Sequence, residues 1–271
     1  SSSNAVINSM WNPNFAYWNT SQNGGKITYS FLSGSAASSY YGSETVSELS
    51  EAVKSNVRSI LNTLESAINI DFVEVADTAT SYGVVRYMFS NAPSYAYAYY
   101  PYSNTDKRSG DVHLSANFES DSLNRFSGSP GNHGYMSLIH ETFHALGLKH
   151  PGNYNGSGPG EGPFLSPAED STTNTVMSYN FAGSSALSSM AYDLLALQYL
   201  YGANSNNSAS TNYSFSSVHG YTVGGSFYGS TSTSKQSIFD SAGLDTLDFS
   251  GLSLSSGYRF DMNPGGILTT Q

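Results

Sequence analysis

The chain has 271 residues, of which 38% are hydrophobic, 14% aromatic and only 11% charged, with a formal net charge of −10. That length suits one sizeable domain plus a smaller appendage. The acidic balance, with no Lys/Arg cluster to neutralise phosphates, weighs against nucleic acid and anionic membranes as partners. The absence of Cys excludes a disulfide scaffold and a thiolate nucleophile.

Residues 1–26, rich in Asn and Ser with Trp11 and Trp18, read as an irregular arm. The first residue is Ser1 rather than Met, which reads as a processed or trimmed form, and no charged-then-apolar signal segment opens the chain. Residues 27–32 alternate and predict a first strand. Val46, Leu49, Val53, Val57, Ile60, Leu61, Leu64 and Ile68 then recur at helical spacing, with Thr45 or Ser47 as N-cap and Glu48 and Glu51 near the positive end. Strands are expected at 71–76, 83–89, 95–100 and 111–115. The strand–helix–strand opening implies a mostly parallel sheet with a right-handed crossover, and the short link from Tyr100 to Asp111 permits an antiparallel neighbour. A helix over 137–146, a loop over 153–163 and a helix over 190–201 with Leu194, Leu195, Leu197 and Leu200 as its apolar positions complete the first 202 residues. From 203 to 271 the texture turns to short Ser/Thr/Gly-rich stretches alternating with Tyr and Phe, a β-rich segment that stops as though a longer domain had been cut.

The segment HETFHALGLKH carries the chemistry: His140, Glu141, His144, Gly147 and His150 form H-E-x-x-H-x-x-G-x-x-H. Residues four apart share a helix face, so His140 and His144 can offer two nitrogens to one point. Gly147 can take a left-handed conformation, stop the helix and turn the chain so that His150 supplies a third. Three neutral imidazoles with one open position describe a catalytic rather than a structural zinc site. Glu141, beside the first ligand and angled away from the metal, can hold a water there. A chain of this length would show the pattern by chance on the order of one time in 10⁵. The other histidines read differently: His113 as a sheet residue, His133 and His219 as solvated residues of Gly/Ser-rich turns.

With this motif, Pro151 and the segment TVMSY, the chain resembles the serralysins, bacterial secreted zinc endopeptidases of the metzincin clan. Residues 168–170 (AED), 201–204 (YGAN) and 240–251 also look like landmarks of that family. The resemblance implies an α+β fold, with a mixed twisted sheet, an antiparallel edge strand and the zinc helix forming a catalytic domain over 1–202. The short β-rich segment that follows is truncated relative to the family and lacks its calcium-binding glycine/aspartate repeats. His140, His144 and His150 fall on the family's zinc ligands, Glu141 on its general base, and Tyr179 on a tyrosine able to reach the zinc and to hold an oxyanion. Met177 falls on the methionine of the tight turn beneath the metal. Tyr95, Ala96, Tyr97 and Ala98 match the edge strand on which an extended substrate would lie, although these tyrosines also suit plain sheet surface. Asp240, Ala242 and Asp245 match part of a calcium site, and ordinary turn formation explains the two Asp equally well. The partner segment, residues 208–212, lacks the family's acidic residue. The implied protein is an extracellular monomer acting on proteins or peptides. A narrow processing peptidase and a non-cleaving zinc-bearing interaction or toxin module on the same fold are the alternatives.

Overall fold

A computed structural model describes every residue except 1, 3, 14–16, 21–24, 103, 104, 206, 231, 232, 254 and 256. Its main sheet runs in the order β3 (Asp71–Glu74), β1 (Lys26–Phe31), β4 (Val85–Ser90), β6 (Asp111–Leu114), β5 (Ala96–Ala98). The first four strands are mutually parallel, and β5 pairs antiparallel with β6, in register Ala96↔Leu114, Tyr97↔His113 and Ala98↔Val112. The expected edge strand over 95–100 is shorter as a strand, yet Tyr99 N–H still bonds Asp111 O and Ser115 N–H bonds Tyr95 O. β5 has no further strand beyond it among the described residues.

Helices α2 (Glu51–Glu65), α3 (His133–Ala145) and α4 (Ala191–Tyr201) contribute to one core with the sheet, centred on Val57, Leu61, Tyr87, Leu114, Leu138, Phe143 and Leu197. The N-terminus of α2 departs from the sequence reading. Ser50 is the cap, accepting from Val53 N–H, and Val46 lies in the two-residue strand β2 (Val46–Ser47), antiparallel to the end of β4. Val46 shares the helical spacing, but it fills a second cluster with Leu32, Ala36 and Met88.

The arm also departs from expectation. Residues Ala5–Met10 form α1, capped by Asn4 Oδ1, and α1 packs on α4. Residues 14–16 and 21–24 of the arm lie outside the described residues. In α4 the apolar positions divide: Leu194 and Leu197 are buried, whereas Leu195 is exposed.

Beyond α4, β7 (Asn212–Ser217), β8 (Gly220–Val223), β9 (Ser226–Gly229) and β10 (Thr246–Asp248) form a sheet ordered β10-β7-β8-β9, and β11 (Tyr258–Phe260) pairs with β12 (Leu268–Thr270). Their own small core is Tyr213, Phe215 and Leu252. Between these strands, Lys235 Nζ reaches back to Thr172 Oγ1 and Ala182 O. Among the described residues no helix is long and apolar enough to cross a membrane.

Candidate metal centre

Helix α3 lies against β5 and β6 and ends at Leu146. Gly147 then takes φ +115°, where an L side chain would be strained. Its N–H bonds His144 O, and Leu148 N–H bonds Phe143 O. The reversal serves two purposes. It returns the chain so that His150 faces the helix, and it brings Leu148 O within 2.7 Å of His144 Nδ1.

His140 Nδ1 has a similar partner, Val176 O at 2.7 Å. A carbonyl can only accept, so both Nδ1 atoms carry the proton and both Nε2 atoms present a bare lone pair in the neutral ring. His150 Nε2 lies 3.2 Å from His140 Nε2 and 3.0 Å from His144 Nε2. Zinc–nitrogen bonds of about 2.0–2.1 Å at tetrahedral angles set ligand nitrogens roughly 3.3 Å apart. One proton cannot satisfy three converging nitrogens, whereas one divalent ion can. Among the described residues, these are the His, Cys, Asp or Glu side chains that meet in a group of three able to hold a metal. Burial first, and then mutual repulsion between the rings, lowers the pKa of His144 well below the ordinary value; burial likewise brings His140 to about 4 and His150 to about 3. Neutral rings are the form a metal needs.

Glu141 is 7% exposed, and its Oε2 is buried without a hydrogen-bond partner. Burial pushes its carboxyl up to about 8. A buried carboxylate oxygen with nothing to accept from fits a place where a polar ligand is held.

The other sequence-predicted residues are distributed as follows. Tyr179 is 41% exposed, its ring 4.5 Å from that of His150 and 6.2 Å from that of His140. Met177 is fully buried in the core. Ala96 and Ala98 pack toward the helical layer, while Tyr97 stacks on His113 on the other side of the sheet. Tyr95 breaks that alternation. It stacks on Phe126 and His133 and donates to Asn124 O. Asp240 and Asp245 stand apart from the histidines, in the segment between β9 and β10. Asp240 Oδ2 accepts from Tyr213 and Asn207, Asp245 Oδ1 accepts from Thr211 N–H, and Asp240 Oδ1 is buried without a partner.

His113 is a fully buried sheet residue, as expected. His133 is not in a turn: it begins α3, half-buried between Tyr95 and Phe181. His219 is half-buried, sharing hydrogen bonds with Ser234.

Two supporting residues, Asp193 and Tyr154, escaped the sequence reading, and a third, Asp170, entered it only as part of the 168–170 landmark, with no role assigned. Asp193, in the first turn of α4, accepts from Thr175 Oγ1, Val176 N–H and Met190 N–H, and so fixes the segment whose carbonyl orients His140. Asp170 and Tyr154 bond each other beside Tyr179. An Asp early in a helix signals only dipole complementarity, and nothing local distinguished Tyr154 from the chain's other tyrosines.

No family model matches the chain. It is 34% identical over 251 residues to serralysin of Proteus mirabilis, covering 83% of the chain and 50% of that protein. Serralysin C of Dickeya chrysanthemi is 33% identical over 92% of the chain and 54% of its own length. Metalloprotease AprA of Pseudomonas entomophila is 32% identical over 83% of the chain and 49% of its own length. The chain spans about half the length of the curated relatives it matches. A mixed sheet with an antiparallel edge, a helix presenting His140 and His144 to a His150 returned by the turn after it, and similarity running over most of the sequence together show that this chain, over the span it shares with those proteins, is homologous to the serralysin family of metalloproteases.

Proposed function

We propose that the chain is a secreted zinc-dependent endopeptidase that cuts extended polypeptides. The observation that carries this reading is the convergence of three imidazole nitrogens within 3.0–3.2 Å contacts, beside the unpartnered carboxylate oxygen of Glu141. His140, His144 and His150 would hold the zinc, and the carbonyls of Val176 and Leu148 keep two of them in the right tautomer. Bound zinc supplies Lewis acidity and lowers the pKa of a coordinated water towards 7.

The remaining work belongs to side chains. Glu141 Oε2 accepts the proton of the attacking water and returns it to the leaving amine. Its burial, which raises its proton affinity, suits a group that must both take and give. Tyr179, with its ring beside His150, would be a further residue able to hold the metal and would donate its phenol proton to the developing oxyanion. Met177 packs beneath the ligands without a chemical part. Substrate lies along the open edge of β5 by main-chain hydrogen bonds. Ala96 and Ala98 leave that strand low on the helical side, and backbone-led binding gives broad specificity.

Residues 1–202 form the catalytic unit and 203–271 a β-rich segment. Calcium binding at Asp240, Ala242 and Asp245 is supported by the buried, unpartnered Oδ1 of Asp240. The cysteine-free, weakly charged composition suits an extracellular monomer.

The test uses a quenched peptide. A chelator should abolish cleavage, zinc should restore it, and Glu141→Ala should retain one zinc while losing turnover by ~10²–10⁴-fold. Normal cleavage by the Glu141→Ala protein would refute the assigned base. A zinc-loaded parent that cuts nothing would favour a binding module, and a peptide library would expose a narrow processing enzyme.

A further inference from the structure

Tyr154 lies four residues beyond His150, and its ring stacks on that of Tyr179 with centroids 4.7 Å apart and planes at 18°. The two rings share a neighbour: His150 is 4.5 Å from Tyr179 and 5.8 Å from Tyr154. The Tyr154 hydroxyl is fully engaged. It donates to Asp170 Oδ1 at 2.7 Å and accepts the backbone N–H of Tyr179 at 3.2 Å. A phenol has one proton, so Tyr154 has none left for a substrate.

Asp170 is 7% exposed and forms the hub of the arrangement. Its Oδ1 also accepts from Ser178 Oγ at 2.7 Å, and its backbone carbonyl accepts from Asn180 Nδ2 at 2.9 Å. The residues on either side of Tyr179 are thus tied to the same aspartate that holds Tyr154. Gly152 closes the back of the cradle. A Cβ there would collide with the Tyr154 ring and with Asp170 Oδ2, so the absence of a side chain lets the ring fold into place.

We propose that Tyr154, braced by Asp170, is the positioning residue for Tyr179. It anchors the Tyr179 backbone and supports one face of its ring, so the phenol can slide between the metal and the cleft while remaining in one plane. The inference rests on the reading of Tyr179 as an acting group. It explains how a side chain 41% open to solvent keeps a defined place beside the ligands. A stacked face resists tilting but opposes sliding only weakly.

The experiment compares the parent with Tyr154→Leu, Tyr154→Phe, Tyr179→Phe and the Tyr154→Leu/Tyr179→Phe double variant. Zinc-loaded proteins are assayed for kcat and KM on a quenched peptide. Copper(II)-loaded proteins are examined for the visible phenolate-to-copper charge-transfer band that reports a tyrosine oxygen at the metal. The parent should show the band and Tyr179→Phe should lose it. Tyr154→Leu should weaken or shift the band and lower kcat by ~10–100-fold with KM nearly unchanged. Added to Tyr179→Phe, it should lower kcat by no more than about 2-fold, because its target is already gone. Tyr154→Phe keeps the stack and loses the backbone tether. It should shift the band with a smaller kcat loss, and it serves alone if the Leu variant fails to fold.

A parent-like band and parent-like kcat in the Tyr154 variants would overturn the proposal. So would an equal kcat loss from Tyr154→Leu with Tyr179 present or absent. If the parent copper protein lacks the band and Tyr179→Phe turns over normally, the reading of Tyr179 fails first and this inference falls with it.

Discussion

Replacing Asp193 with alanine tests whether the metal centre depends on a carboxylate that never touches it. Asp193 is fully buried, and its two oxygens accept from Thr175 Oγ1 at 2.7 Å, Val176 N–H at 3.0 Å and Met190 N–H at 2.8 Å. Alanine leaves three buried donors without an acceptor. At about 1–3 kcal/mol each, discounted for shared relaxation, the loss is roughly 3–6 kcal/mol. A domain of this kind has only about 5–15 kcal/mol in total. Asp193→Asn keeps an oxygen for the two N–H donors and disturbs only the Thr175 bond, so about 1–2 kcal/mol is expected. The same change should reach the metal, because Val176 O is the acceptor that orients His140. Loss of such support typically weakens metal binding by about 10–100-fold. Guanidinium unfolding of the zinc-free proteins measures the first effect without binding linkage, and competition with a chelator measures the second. Asp193→Ala within 1 kcal/mol of the parent would refute the hydrogen-bond argument. A large destabilisation with unchanged zinc affinity would refute the coupling to His140.

Three other perturbations probe separate parts of the fold. Arg86 and Asp77 form a bidentate pair at 2.7 and 2.8 Å with side chains 1% and 3% exposed. Asp77→Ala should therefore cost about 3–5 kcal/mol in chemical denaturation by stranding a buried guanidinium; a loss below 1 kcal/mol would mean water reaches it. Gly147→Ala forces an L residue to φ +115° and should lose roughly 1–3 kcal/mol. It should also weaken zinc binding as His150 shifts, and unchanged affinity in chelator competition would separate the turn from the site. Burial pushes Lys235 down to about 8. The unfolded chain holds that proton to about pH 10.4, so between these values the unfolded state binds more protons and stability rises with pH. The stability difference between parent and Lys235→Met should therefore move in the parent's favour from pH 8 to 10, and a flat or opposite trend would contradict the burial of the amine.

The parts of this molecule that could be read from its sequence are those whose geometry is local. His140, Glu141 and His144 lie within two turns of one helix and Gly147 sets the reversal, so spacing alone fixes where three nitrogens meet. The parallel order of β1, β3 and β4 and the antiparallel edge follow from the lengths of the links between them. Local spacing fails where two packing layers share one periodicity. Val46 continues the apolar pattern of α2 yet belongs to the cluster on β4 with Leu32 and Met88, so the helix begins several residues later. Helix α1 has six residues, too few for a periodic signal, and is held by Asn4 and by packing on α4. The supports of the site are hidden for a related reason. Asp193 reaches Val176 across 17 positions, and Asp170 reaches Tyr154 across 16. Each is an acidic or aromatic residue whose local context permits a plain surface role, and only tertiary folding turns it into an acceptor at the right point. The candidate metal ligands are thus specified by one short segment, whereas the hydrogen bonds around them come from residues of α4 and of the loop before Met177 whose partners no local pattern indicates. Substitutions at Asp193, Asp170 or Tyr154 should accordingly impair the centre while leaving the eleven-residue motif intact, so the motif alone is a sound guide to the chemistry and a poor one to its efficiency.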